Sequence, residues 1–271
     1  MGEKKSMKII KLTFVIIFIS LVVLPFVYIV LFTMFSYFKY PSILPSNTTM
    51  KYWRGIFYEN SLFYSSVLNT LLIGSIVAIV STLVGQLTGR AFVRYLGDVP
   101  LGKLLVSIPL FIPAMPLFLG VHQVLLGTGF VNNYLGVCLG HILICIPYTS
   151  NIAMNYYKGI PIEMEQVAKT LGGNWRVITS KVLLPMMAPA LALSLAISFL
   201  ISTTEYFSVF LIGGGNVITL SMLMYPFINN SEYGFASVTG LVFIGVNLLV
   251  FIGLDRVVKK YSKQSNLFEI G

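Results

Sequence analysis

The chain is short of charge. Only 10% of its 271 residues are Asp, Glu, Lys or Arg, against about 25% in an ordinary soluble domain. That is too little to cover a water-facing surface. Acid is scarcer still, with nine Asp and Glu against 18 Lys and Arg, for a net charge of +9. There are two cysteines, Cys138 and Cys145. Seven positions on one helix separate them by about 10 Å, which rules out a bond between them, so they are read as packing residues. No G-x-x-x-x-G-K-[ST] phosphate loop is present, so the chain does not bind ATP in that way. His122 and His141 have no second metal ligand at a useful spacing, and packing is the default reading for both. No nucleophile, base and orienting acid stand in a recognisable arrangement. The expectation is therefore no catalytic residue, no metal site and no cofactor in this chain. Gly213-Gly214-Gly215 is too short for a nucleotide fingerprint and reads as a flexible bend.

What the chain has is apolar length. Hydrophobic residues make up 56%, and the mean hydropathy is +0.87. A hydrocarbon core takes roughly 20 apolar residues per helix, and backbone groups in lipid must be satisfied within the segment. Six runs qualify: 12–35, 62–87, 104–126, 134–156, 186–212 and 235–258. They are continuous rather than alternating, which argues against an outer-membrane barrel. The expected fold is all-α, a single polytopic membrane domain of six transmembrane helices. The third run carries Pro109, Pro113 and Pro116, which break its hydrogen-bond ladder. They predict either a fixed kink or a bend used in gating.

Orientation follows from Lys and Arg. With the N-terminus in the cytoplasm, fifteen basic residues fall on inside segments, Lys4, Lys5, Lys8 and Lys11 among them. Only Lys39, Lys51 and Arg54 fall outside. This asymmetry predicts both termini cytoplasmic. Basic residues beside anionic headgroups account for the net charge with no nucleic-acid partner. The first run is longer than a secretory signal and lacks a small-residue cleavage site, so an uncleaved span is expected. Met1-Gly2-Glu3-Lys4-Lys5-Ser6 fits an acylation pattern, but the pattern is short and adds little to a spanning chain.

The segment 158–185 is the one long inside loop. Pro161 suits a first helical position, and Glu163 and Glu165 favour the positive helix end. Gly172 is a natural left-handed stop, and Asn174 can cap a second helix. Val177, Ile178 and Val182 then supply an apolar face, and Pro185 marks the return to the membrane. The prediction is helix, glycine turn, helix, with Leu171 and Trp175 exposed at the turn. Two readings stand: a surface that fits a groove on a partner, or an amphipathic connector lying on lipid.

The run Gln166-Val167-Ala168-Lys169-Thr170-Leu171-Gly172, followed by Lys181-Val182-Leu183-Leu184-Pro185, resembles the loop motif of type I ABC importer permeases. Aligned on Gly172 and on Leu184-Pro185, the family's Glu-Ala-Ala falls on Gln166-Val167-Ala168. Gln166 replaces a carboxylate, so a specific ion pair at that position is not carried over. The resemblance implies that this loop is a coupling helix docking on a cytoplasmic ATPase. It also implies two such ATPase subunits, which hold the ATP and Mg, a second and non-identical permease subunit, and an extracellular solute-binding protein. The setting it implies is a bacterial inner membrane, and the mechanism alternating access. Ser66 to Thr70 resembles the opening of the shared core. Ser202 to Ser208, Ile212 to Asn216 and Thr219 to Ser221 resemble the subgroup serving polyamines, ferric iron, thiamine and phosphonates, with a weaker match to the carbohydrate branch. The rival classes are a self-sufficient transporter or channel, which gives the loop no task, and a membrane enzyme, which lacks a catalytic cluster.

Ser202, Thr203, Thr204 and Glu205 form a polar patch in an otherwise apolar run. Counting from Pro185, Glu205 lies about 30 Å along the helix, toward the outer side. A charge there is costly unless it faces a cavity or a partner. It is read as lining a solute path, or as an interfacial or subunit-pairing residue.

Overall fold

The computed structural model describes residues 2–35, 47–97 and 99–265. Met1 of the acylation pattern and the outer Lys39 lie outside the described residues. So do the side chains of Lys4, Lys5, Lys8, Lys259, Lys260 and Lys263. Among the described residues the structure is helical, with one isolated bridge between Phe35 and Thr48.

Among the described residues five helices are long and apolar enough to cross a membrane: Lys11–Met34, Phe63–Leu96, Tyr134–Lys158, Trp175–Thr204 and Tyr233–Arg256. A sixth span is obtained if the bent pair Pro100–Phe111 and Ala114–Leu126 counts as one. The expectation of one helix over 104–126 is corrected, because the two pieces meet at 104°. The prolines explain the break. Ile112, which precedes Pro113, is driven to extended backbone (φ −97°, ψ 127°), as the residue before a proline tends to be. Pro109 sits in a 3₁₀ turn and Pro116 in the first turn of the next helix, where a missing N–H costs nothing.

The chain divides into two compact units. One comprises Met1–Phe63 and Leu223–Ile244. Its contacts are aromatic. Tyr52 meets Phe235 edge-on at 5.0 Å, Phe235 stacks on Phe227 at 5.4 Å, and Phe32 packs on Tyr233 at 5.8 Å.

The other unit comprises Tyr64–Met222 and Gly245–Gly271, and the fourth span is its axis. The second span runs parallel to it in register. Thr149 Oγ1 donates to the Ser81 carbonyl at 2.8 Å, and a side chain at Gly85 or Gly89 would collide with Thr149 or Ala153. Ser81, Gly85 and Gly89 thus form a small-residue ridge that lets the two backbones approach, a common device where lipid supplies no hydrophobic drive. The fifth span lies antiparallel on the fourth. Cys145 Sγ sits 3.7 Å from the Ser198 carbonyl oxygen. Cys138 and Cys145 are unbonded and buried in a core with Ile73, Val77, Phe118, Val137 and Ile212, as packing residues should be. A second core, nearer the 158–185 loop, holds Tyr157, Ile160, Ile178, Leu183 and Met187.

Candidate functional site

The loop folds as its local chemistry directs. A helix runs Ile162–Thr170, with Pro161 one place ahead of it as the cap rather than as the first helical residue. Gly172 stops it at φ +81°, a left-handed backbone open to glycine and strained for other residues. Asn174 caps the next helix by accepting from Val177 N at 3.0 Å. Leu171 and Trp175 stand out at the turn, 82% and 57% exposed. Gln166 and Glu163 are also exposed, and Ala168 is half-buried.

Pro185, read as the return to the membrane, does not interrupt the helix there. The second helix continues through Leu184 and Pro185 into the fifth span without interruption, from Trp175 to Thr204. A π-helical stretch at Ile178–Leu183 makes this possible. Pro185 cannot donate to the carbonyl of Lys181 and its ring would clash there, and the wider π turn relieves that conflict. The inward apolar face is Ile178 and Leu183, each 2% exposed, whereas Val177 is exposed.

Glu165 is the residue most altered by tertiary structure. It stands in the first turn of its helix, as expected, but is only 6% exposed. Arg90 Nη2 donates to Oε2 at 2.7 Å and Arg94 Nε donates to Oε1 at 2.9 Å. Arg94 Nη2 also donates to the Ile160 carbonyl at 2.7 Å. The Arg90 guanidinium lies 4.3 Å over the Trp175 ring. Two arginines of the second span therefore grip the loop before its first helix, on that helix and at the start of the second. Charge-assisted bonds to both carboxylate oxygens are the strong kind. Sequence reasoning counted Arg90 and Arg94 only as inside charges. Their four-residue spacing puts them on one helix face, which was the available signal.

The fifth span is also corrected at the end away from the loop. Its helix stops at Thr204, Glu205 is extended (φ −72°, ψ 108°), and a separate helix runs Phe207–Gly213. The bend read at the three glycines is present, with Gly214 and Gly215 at φ +54° and +82°. His141, fully buried on the fourth span, bridges the break. Its Nδ1 pairs with Ser202 at 2.8 Å and its Nε2 with Ser208. Its signal in the sequence was a polar side chain in an apolar run.

The polar patch therefore separates into distinct roles. Ser202 is held by His141. Thr203 is buried and donates to Asn247 Oδ1 at 2.9 Å. Thr204 is exposed and bonds its own helix at the Leu200 and Ile201 carbonyls. Glu205 is half-buried, and its carbonyl accepts from Ser221. No side chain pairs with its carboxylate among the described residues.

With this geometry in place, similarity to known proteins is decisive. The profile of the binding-protein-dependent transport system inner membrane component matches residues 70–263. The chain belongs to this family. It is 24% identical over 217 residues to the trehalose transport system permease protein SugB of Mycobacterium tuberculosis, covering 78% of each chain. It is 22% identical over 215 residues to the spermidine/putrescine transport system permease protein PotC of Escherichia coli, covering 78% of this chain and 80% of that one. The ferric transport system permease protein FbpB of Actinobacillus pleuropneumoniae is 27% identical over 206 residues, 68% of this chain and 29% of the longer relative. Among solved structures, a bacterial ABC transporter that imports alginate matches with a TM-score of 0.70 and 20% identity, over 96% of this chain and 97% of that one. The MetNI methionine ABC transporter matches with a TM-score of 0.56 and 18% identity, over 74% of this chain and 96% of that one.

These matches carry the type I ABC importer permease fold and the role of a permease component, a role that is not enzymatic. They dispose of the membrane enzyme. The permease relatives name a sugar, polyamines and ferric iron as cargo.

Proposed function

We propose that this chain forms half of the translocation path of an ATP-driven importer and is driven through its 158–185 loop by a cytoplasmic ATPase. The observation that carries the reading is the presentation of Leu171 and Trp175. Both are large, apolar and exposed, yet they stand on a turn whose far side is pinned by a buried ion pair. A rigidly held apolar knob suits insertion into a protein groove. A connector lying on lipid would need no such pinning. The partners in this reading are two ATPase subunits, which hold ATP and Mg, a second non-identical permease and an extracellular solute-binding protein. Alternating access carries the solute, and both termini and the loop are cytoplasmic. The test is Leu171→Asp. It should leave the permease in the membrane and remove the ATPase from the purified complex. Full recovery of the ATPase would overturn the docking role.

The solute we infer is a small cation, a polyamine first, then ferric iron or thiamine. Its support is Glu205, a carboxylate at a helix break with no neutralising partner among the described residues. It can replace part of the water a cation loses on entry. A second reading, a carbohydrate, is supported by the similarity to a trehalose permease and to an alginate importer. Competition for uptake between spermidine and trehalose separates the two.

A further inference from the structure

The second span is joined at both ends to the two segments that matter for transport. At its inner end Arg90 and Arg94 hold Glu165 of the loop, and Arg90 lies over Trp175. At its outer end Asn69 Nδ2 donates to the Ile218 carbonyl at 2.9 Å, and Thr70 Oγ1 accepts from Leu220 N at 2.8 Å. Those residues belong to the strand of chain that follows the broken fifth span, and Ser221 within it donates to the Glu205 carbonyl at 3.3 Å. Tyr134 Oη, from the start of the fourth span, donates to Asn69 Oδ1 at 3.1 Å. All six of Asn69, Thr70, Arg90, Arg94, Glu165 and Glu205 lie in one compact unit. Between Asn69 and Arg90 the span is unbroken helix, about 32 Å long. A continuous helix resists axial compression, and the fifth span, which also leaves the loop, ends at Thr204 before the break.

We propose that the second span is the rod that transmits movement of the loop to the break at Glu205, with Glu165 and Asn69 as its inner and outer joints. The inference rests on the coupling role of the loop. Neither joint touches solute; both are positioning residues. A displacement imposed on Leu171 and Trp175 passes through Arg90 and Glu165 into the second span. It emerges at Ile218 and Leu220, whose hydrogen bonds to the span leave them no independent course. The fifth span carries the same displacement as continuous helix from Trp175 to Thr204, but it ends on the near side of the break, whereas Ile218 and Leu220 on the far side are bonded to the second span. Coupling of this kind requires a contiguous set of packed or hydrogen-bonded elements that both sites bias, and the second span supplies one.

The experiment uses the whole complex with its ATPase in proteoliposomes, and it needs no knowledge of the solute. Thr204→Cys places a thiol at an exposed position beside the break, while Cys138 and Cys145 are buried. The rate of its reaction with a membrane-impermeant maleimide is compared with and without ATP and vanadate, which trap the closed ATPase. The parent should show a nucleotide-dependent change in rate. Glu165→Gln and Asn69→Ala should each shrink that change about tenfold, a typical allosteric coupling. The double variant should be no worse than the more severe single one, because the joints act in series. Unrelated structural defects that far apart would instead add. If Glu165→Gln fails to accumulate, Arg94→Lys keeps the charge, loses the fork, and tests the same joint. A full nucleotide response in either inner-joint variant, or additive losses in the double variant, would overturn the rod. Absence of any response in the parent, with the ATPase bound, would overturn the coupling reading itself.

Discussion

Two carboxylates of this permease make an instructive pair. Glu165 lies at the inner loop, 6% exposed, with both oxygens bonded to arginines at 2.7 and 2.9 Å. Glu205 lies at the outer break, half-buried, with no side chain on its carboxylate among the described residues. A buried charge persists only when paired and hydrogen-bonded, and Glu165 meets both conditions within its own chain. It is therefore part of the frame. Glu205 meets neither condition among the described residues, which is the contrast the proposed solute role rests on. Glu165 holds the loop in place, and in the proposed function Glu205 is the acid that meets the solute.

The comparison breaks if the two respond alike to loss of charge. Glu165→Ala has the largest expected effect on stability. It strands two guanidinium groups of low exposure, at a cost of about 3–5 kcal/mol, which should appear as a marked fall in the thermal denaturation midpoint of the purified complex. A fall no greater than that of Glu205→Ala would show that the ion pair contributes little.

His141→Ala comes next. It leaves the hydroxyls of Ser202 and Ser208 without their shared partner on either side of the break. The expected cost is about 1–3 kcal/mol, read by the same midpoint, with faster maleimide labelling of Thr204→Cys as a second sign that the break has loosened. An unchanged midpoint would mean that the backbone holds the break unaided.

The smallest effect on stability belongs to Glu205→Gln, within about 0.5 kcal/mol, as for substitutions away from packed features. Its effect should fall on function instead. Uptake of a cationic solute should drop on the order of tenfold, equivalent to ~1.4 kcal/mol, with full recovery of the complex. Loss of the assembled complex would instead assign Glu205 to a subunit contact. Unchanged uptake with full recovery would leave it as an interfacial residue.

What was legible in the sequence was local or additive. Apolar length marked the spans, because lipid selects for runs of about 20 residues wherever they occur. Gly172 and Asn174 announced the turn and the second helix, because a left-handed backbone and an N-cap depend on one residue and its immediate neighbours. The motif around Gln166 and Pro185 located the family for the same reason, since its spacing is counted along the chain. Tertiary structure decided the rest. Glu165 is paired with residues 75 and 71 positions away, and nothing in the loop's own composition distinguishes it from the exposed Glu163. Pro185 marked the return to the membrane, but that the helix runs through it, over a π stretch at Ile178–Leu183, appeared only in the structure. Thr204 and Glu205 continued an apolar run until His141, Ser202 and Ser208 met around a break. The physical reason is common to all three: periodicity and spacing give each helix its faces, but which face meets which neighbour is settled only when distant segments pack together.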